Sequence, residues 1–186
     1  MRYRLHKAAP AAVMLVVGVL GCCPASLSAQ PLIRIESQLQ QSRNSCALAA
    51  LSYALSAAYH IAATEQDLAQ LAAPFYASTH GLPPSEGYSI GDIRRLSAKL
   101  GVTAEAWRLP LHAIRDEVLP ALLWLKEAGQ NHVVVLIELL PNAAYLFDPA
   151  VGHYWLSRSR LSDRWLDGRG RGVLIELRNL SKRPLE

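Results

Sequence analysis

The sequence predicts an α+β fold in which N-terminal helices pack on a mostly antiparallel sheet. Apolar residues recur at helical spacing in the first half of the chain, whereas β-branched and apolar runs separated by turn residues fill the second half. Helices that precede the strands, rather than alternate with them, favour α+β over a parallel α/β architecture. With 186 residues, 51% of them hydrophobic and 18% charged, the chain has room for one domain and an appendage.

The appendage is residues 1–29, which have the three-part layout of a secretory signal peptide: "MRYRLHK" is basic, "AAPAAVMLVVGVLGCC" is apolar and "PASLSAQ" is small and polar. The apolar run is shorter than the ~20 residues that span a bilayer as a helix, so an uncleaved anchor is the weaker interpretation. Cleavage after Ser28 or Ala29 would leave a single domain, residues 30–186, exported to the periplasm. The alternative is a lipoprotein, because "VLGC" ending at Cys22 resembles a lipobox.

The first helix is predicted over residues 46–60, where leucines, alanines and a tyrosine recur at steps of three and four. Asn44 and Ser45, both good N-cap residues, come directly before it. A second helix, "TEQDLAQLAA", starts from the cap Thr64. The first of these helices is amphipathic.

Residues 74–88 are rich in turn residues and predict a long surface loop, either a gate over a cleft or a mobile connection. A third helix, "SIGDIRRLSAKLG", follows it. This helix starts with a capping box formed by Ser89 and Asp92 and stops at Gly101.

The second half of the chain predicts a sheet. Residues 132–139, "HVVVLIEL", are apolar and β-branched throughout, as expected of a buried strand. The other predicted strands are residues 102–107, 119–125, 145–148, 153–157 and 172–177, with short helices near 111–117 and 161–165.

The charge balance excludes one class of partner. The formal net charge is +4, but Arg2, Arg4 and Lys7 lie in the predicted signal peptide, which leaves about +1 on the mature chain. The basic pI therefore describes the signal peptide, and we predict no nucleic-acid binding.

Cys46 would be the single cysteine of the mature chain, because cleavage removes Cys22 and Cys23. An internal disulfide and a paired-cysteine metal site are excluded by that count. A buried core thiol and a nucleophile are the two interpretations left open. Position favours the nucleophile, since the N-terminus of a helix stabilises a thiolate.

A nucleophilic cysteine needs a base and a group that orients the base. His132 opens the most apolar strand, and the hairpin that turns near Pro141 returns Asp148 to the same end. A simple register places Asp148 opposite Val135, roughly 10 Å along the strand from His132 at ~3.3 Å per residue. A shifted turn or a bulge would close that gap. The other mature histidines lie at less suitable places: a helix end, a loop, a connecting helix and a strand start (His60, His80, His112 and His153).

Gln40 is the fourth candidate, six residues before Cys46. Its side-chain amide and the backbone N–H of Cys46 would together stabilise the oxyanion of a tetrahedral intermediate. Gln38 and Gln41 are equally available from the sequence.

The sequence resembles the bacteriocin-processing, double-glycine-leader cysteine peptidases, which have a papain-like fold. The matching segments run in the family's order: "QQSRNSCALAAL", "EGYSIGDIRRLSAKLG", "NHVVVLIEL", and "YLFDPAVGHYWLS" followed by "LSDRWL". The resemblance extends over residues 35–177. Two positions depart from the family's usual pattern, because Ala47 follows the cysteine where glycine is usual, and Asn44 and Ser45 precede it where many members have an aspartate.

The resemblance implies a cysteine peptidase with Cys46 as nucleophile, His132 as general base and acid, Asp148 as the orienting group and Gln40 as the oxyanion donor. It implies no metal and no cofactor. The chain is similar to stand-alone exported members, so the expected partners are a polypeptide substrate or leader peptide, cut after Gly-Gly, and proteins of a surface-protein or functional-amyloid secretion system. A membrane is expected only through an N-terminal anchor or lipid. The alternatives are a non-catalytic accessory that binds a leader or client, and a cysteine hydrolase of cell-wall peptides.

Overall fold

The computed structural model describes residues 39–79, 87–127 and 129–179. Within them the helices are α1 (Cys46–Tyr59), α2 (Glu65–Ala72), α3 (Ile90–Lys99) and α4 (Arg158–Trp165). The strands are β1 (Val102–Leu109), β2 (Ala121–Glu127), β3 (Gln130–Leu139), β4 (Ala143–Asp148), β5 (Gly152–Ser157) and β6 (Gly172–Asn179). The α+β class is confirmed. The predicted signal peptide, with Cys22, and the histidine at position 80 lie outside the described residues.

The six strands form one sheet in the order β1-β6-β2-β3-β4-β5, and every neighbouring pair is antiparallel. Strands β1 and β5 are the edges. The predicted antiparallel sheet is therefore confirmed, and its hairpin β3–β4 lies near the middle. The predicted start of β2 at residue 119 is wrong, because the strand begins after Pro120 and proline has no N–H to donate to a strand ladder.

Side chains on the two faces of the sheet form two separate cores. On one face, α1, α2 and α3 pack on Val133, Val135 and Phe147. On the other face, Leu161 and Trp165 of α4 cover the alternate strand positions, including Val134 and Leu136. The sheet is therefore covered on both sides, which explains the continuous apolar run of β3.

Two helices start with capping boxes; the sequence predicts the box at Ser89, and at Thr64 it predicts the cap residue alone. The Thr64 hydroxyl accepts the N–H of Asp67 at 3.1 Å, and the Asp67 carboxylate accepts the N–H of Thr64 at 2.9 Å. Ser89 and Asp92 repeat the arrangement at 3.2 and 2.7 Å. Each box satisfies N–H groups that a helix cannot pair internally.

The prediction of a loop over residues 74–88 is wrong for its first part, since Ala73–Thr79 form a 3₁₀ helix. Phe75 and Tyr76 pack against the core, and the Tyr76 hydroxyl donates to the buried Asp92 at 2.5 Å. Aromatic anchoring of this kind cannot be read from turn residues. Residues 80–86 lie outside the described part of the chain, so the proposed gate is untested.

The helix predicted over residues 111–117 is instead two 3₁₀ turns, Leu111–Ala113 and Asp116–Val118. Among the described residues, no helix has the length and apolar character needed to cross a membrane.

Candidate active site

Cys46 is the first residue of α1 and is partly exposed. Ser45 precedes it at the N-cap, but its hydroxyl turns away from the helix, donating to the Ser42 carbonyl at 2.8 Å and accepting the Ser42 N–H at 3.2 Å. Within the described residues, the N–H groups of Cys46 and Ala47 have no acceptor. The thiol therefore lies beside open backbone donors, at the positive end of a helix.

His132 and Asp148 form a hydrogen-bonded pair. The Nε2 atom of His132 lies 2.8 Å from Oδ1 of Asp148, a carboxylate that is only 5% exposed. The same oxygen accepts the backbone N–H of Ala150 at 2.8 Å. Because a carboxylate can only accept, Nε2 carries the hydrogen of this bond, which leaves Nδ1 for the Cys46 thiol.

The electrostatics of the pair favour a charged ring. Burial lowers the pKa of His132, but hydrogen bonds with Asp148 and Cys46, and their negative charges, raise it to about 9. An imidazole with that pKa is a cation at neutral pH. A cationic ring in contact with a thiol is the arrangement that stabilises a thiolate.

A β-bulge brings the two residues together. Strands β3 and β4 pair Val135 with Phe147, and the register shifts by one residue between Leu136 and Glu138. Counting on from that pair places Asp148 opposite residue 134, two positions from His132 and on the same face, about 7 Å along the strand. The simple register expected from the sequence was one residue off; the observed register reduces the separation from three residues to two and puts both side chains on one face.

Gln40 is held beside this pair through its backbone. Its N–H donates to the Pro149 carbonyl at 2.8 Å, and its side-chain Nε2 donates to the Ser42 carbonyl at 3.1 Å. In the described part of the chain, no hydrogen bond joins the Gln40 side chain to Cys46, His132 or Asp148. The structure thus brings three of the four candidates together and places the fourth next to the turn that follows Asp148.

A cavity of about 460 Å³ opens beside Cys46. Its aromatic and apolar lining is Tyr88, Trp124 and Val133, and the remainder comes from residues 43–44 and 129–131. Neither Tyr88 nor Trp124 was predicted from the sequence to line a site. The signal was faint, because Tyr88 precedes a capping box and Trp124 lies inside a predicted strand.

Gly87 explains how Tyr88 reaches the cavity. It has φ +83°, and a Cβ there would lie 2.5 Å from the Asn44 carbonyl oxygen. Only glycine allows the two backbones to approach so closely, so Gly87 docks the segment before α3 onto the segment before Cys46.

The remaining described histidines have other surroundings. His60 ends α1 in a left-handed conformation, and His112 is exposed. His153 hydrogen-bonds to the Tyr53 hydroxyl at 2.9 Å, and burial lowers its pKa. None of the three contacts the Asp148 carboxylate through a hydrogen bond in the described residues.

Known proteins are similar to this chain in sequence and in fold. The family model described as the peptidase C39 family matches residues 34–168. The "Probable functional amyloid protease FapD" of Pseudomonas aeruginosa is 27% identical over 129 residues, 68% of this chain. The match spans 55% of that relative, about half its length.

Two solved structures show the same fold. The peptidase domain of Streptococcus ComA, a bifunctional ABC transporter, has a TM-score of 0.61 and 17% identity, covering 76% of this chain and 96% of that one. A double glycine motif protease from an AMS/PCAT transporter, in complex with its leader peptide, has a TM-score of 0.60 and 18% identity, covering 76% and 89%. The papain-like fold expected from the resemblance is confirmed. Because the family model matches well over half of this chain, the chain belongs to the peptidase C39 family.

Proposed function

We propose that this protein is a cysteine peptidase that processes an exported polypeptide. The observation that supports it is the arrangement of Cys46 at the uncapped start of α1, in contact with His132, which is paired with the buried Asp148. A structural thiol has no need of either partner. Membership of a peptidase family supports the same activity.

In the proposed reaction, the Cys46 thiolate attacks the carbonyl carbon of the scissile peptide bond. The imidazolium of His132 then gives its proton to the leaving amine, and the C–N bond breaks to leave a thioester on Cys46. Water then attacks the thioester as His132 takes a proton from it, and the C–S bond breaks. This releases the acid and restores the Cys46 thiolate and the His132 imidazolium. Asp148 keeps the ring oriented throughout by holding Nε2.

The oxyanion of each tetrahedral intermediate would accept two hydrogen bonds. One donor is the backbone N–H of Cys46, which has no acceptor among the described residues. The other is the side-chain amide of Gln40, whose nitrogen has two hydrogens and uses one on the Ser42 carbonyl. Donors fixed in this way stabilise charge as it develops.

The proposed substrate is a polypeptide of a secretion system for surface proteins or functional amyloid, cut after a Gly-Gly pair at the end of a leader. The relatives support this class, because one is named a functional amyloid protease and another is a double glycine motif protease. Incubation with Gly-Gly leader peptides and with peptidoglycan fragments tests it. Cleavage of the fragments alone would favour the cell-wall hydrolase.

We place the protein in the periplasm, with residues 1–29 as a signal peptide and residues 30–186 as one peptidase domain. Mass spectrometry of the exported protein tests this. A mass that matches a chain starting at residue 29 or 30 supports the signal peptide. A mass that matches a chain starting at an acylated Cys22 would show the lipoprotein instead.

The first experiment is the rate of Cys46 alkylation by iodoacetamide against pH, with the His132→Ala variant beside the wild type. We expect reaction well below the ordinary cysteine pKa of ~8.5 in the wild type and its loss in the variant. An inert thiol, or one indifferent to His132, would overturn the peptidase and favour a binding accessory.

A further inference from the structure

The segment before Cys46 is held by contacts from distant parts of the chain. The Gln40 N–H donates to Pro149 in the β4–β5 turn, as described above. One residue on, the Gln41 N–H donates to Oε2 of Glu65 at 2.9 Å. Both peptide groups that flank the Cα atom of Gln40 are therefore tied, and the direction of its side chain is fixed by these two bonds.

The Gln40 side chain itself has little else to hold it. Its Nε2 makes one hydrogen bond, to the Ser42 carbonyl, and its Oε1 is buried without a hydrogen-bond partner among the described residues. A side chain with a single local contact depends on its backbone for orientation. The Glu65–Gln41 bond is one of only two long-range hydrogen bonds that set that backbone in the described structure.

Glu65, which accepts the Gln41 N–H, has a defined position in the fold. It is the first residue of α2, directly after the Thr64 cap, where a carboxylate is favoured by the helix dipole. Its charge also acts on a residue of the cavity: burial raises the pKa of Tyr88, and the negative charge of Glu65 raises it further.

We infer that Glu65 is a positioning residue for the oxyanion donor Gln40. By accepting the Gln41 N–H, its carboxylate fixes the peptide plane that aims the Gln40 amide at the reacting carbonyl. This inference rests on the proposed peptidase function. The simpler alternative is that Glu65 only stabilises the start of α2 through the helix dipole.

The test is the binding of acetyl-Gly-Gly aldehyde. The Cys46 sulfur adds to its aldehyde carbon to give a hemithioacetal, whose oxygen takes the place of the oxyanion of a tetrahedral intermediate. Binding is measured by protection of Cys46 from iodoacetamide. Alkylation itself forms no oxyanion, so it reports on Cys46 and His132 alone. The variants are Glu65→Ala, Glu65→Gln, Gln40→Ala and the double variant, with thermal unfolding recorded for each.

We expect Gln40→Ala to weaken aldehyde binding by about 100-fold and Glu65→Ala by about 10-fold, and we expect Glu65→Ala to leave the alkylation rate unchanged. The Glu65→Gln variant keeps an acceptor for the Gln41 N–H, so its binding should stay within about threefold of wild type. The double variant should bind like Gln40→Ala, because residues that act as one unit are not additive. The matched control is Glu117→Ala, an exposed glutamate at the second 3₁₀ turn, which should bind like wild type.

Three results would overturn the inference: a Glu65→Ala effect that persists in full in the Gln40→Ala background, a failure of Glu65→Gln to restore binding, or a Glu65→Ala variant that binds like wild type. A loss of Tm alone would assign Glu65 to helix stability. If wild-type Cys46 neither binds the aldehyde nor shows His132-dependent alkylation, the peptidase proposal fails, and the role of Glu65 fails with it.

Discussion

Four α-helices begin within the described residues; three of them begin with a side-chain cap, whereas α1 does not. Thr64, Ser89 and Ser157 each accept an N–H of the helix that follows. Ser45 holds the equivalent position before α1 but bonds back to Ser42. Omitting a cap costs about 1 kcal/mol. The α-helix without a side-chain cap is the one that starts at Cys46. The capped helix starts thus serve stability, whereas we assign the start of α1 to catalysis.

The sharpest way to break this comparison is to remove the thiol. We expect Cys46→Ala to lower peptide hydrolysis by about 10⁴-fold or more. Its Tm should stay close to that of the wild type, since Cys46 is partly exposed and alanine suits a helix. Hydrolysis rates and thermal unfolding check both parts. Retained hydrolysis would mean that the α1 terminus is not the reactive end.

The next largest effect is expected at Asp148. Asp148→Asn keeps the size of the side chain but removes its charge, so hydrolysis should fall by about 10²- to 10⁴-fold. The pKa of His132, raised to about 9 in part by this carboxylate, should fall. NMR titration of the ring measures that shift. A His132 that still titrates near pH 9 would show that Asp148 does not set its charge.

The raised pKa of His132 also predicts a pH-dependent stability. Folding favours the protonated ring, so this contribution is complete below the ordinary pKa of 6.5 and is lost as pH rises through about 9. The Tm difference between wild type and His132→Gln should therefore change by roughly 2–4 °C, in the direction that disfavours wild type, between about pH 6 and about pH 9.5. A difference that stays constant across this range would contradict the charge assignment.

The smallest effect is expected at a capped helix. Ser157→Ala removes the side-chain acceptor at the start of α4, on the sheet face opposite α1. We expect a loss of about 0.5–1 kcal/mol in the free energy of unfolding and an unchanged rate of Cys46 alkylation. A slower alkylation would show that the start of α4 affects the reactivity of Cys46 at the start of α1, which would contradict the distinction between them.

Local features of the fold could be read from the sequence, and long-range ones could not. The cap at Thr64 and the capping box at Ser89 are short-range signals, and both were predicted correctly. The hairpin of His132 and Asp148 was predicted, but the bulge that aligns them leaves no mark in an apolar run. Glu65 was missed because its partner, Gln41, lies 24 residues away, and a glutamate in a first helical turn has an ordinary local explanation.

The Gln40–Pro149 bond has a consequence for folding. It joins the start of the described domain to a turn more than a hundred residues later, and Cys46 and His132 are separated almost as widely. Contacts of such long range require the closure of long loops, which slows folding. An unfolded chain has none of them, so its Cys46 would react as an ordinary thiol. The His132-dependent reactivity that we propose for Cys46 would therefore report complete folding, without a substrate.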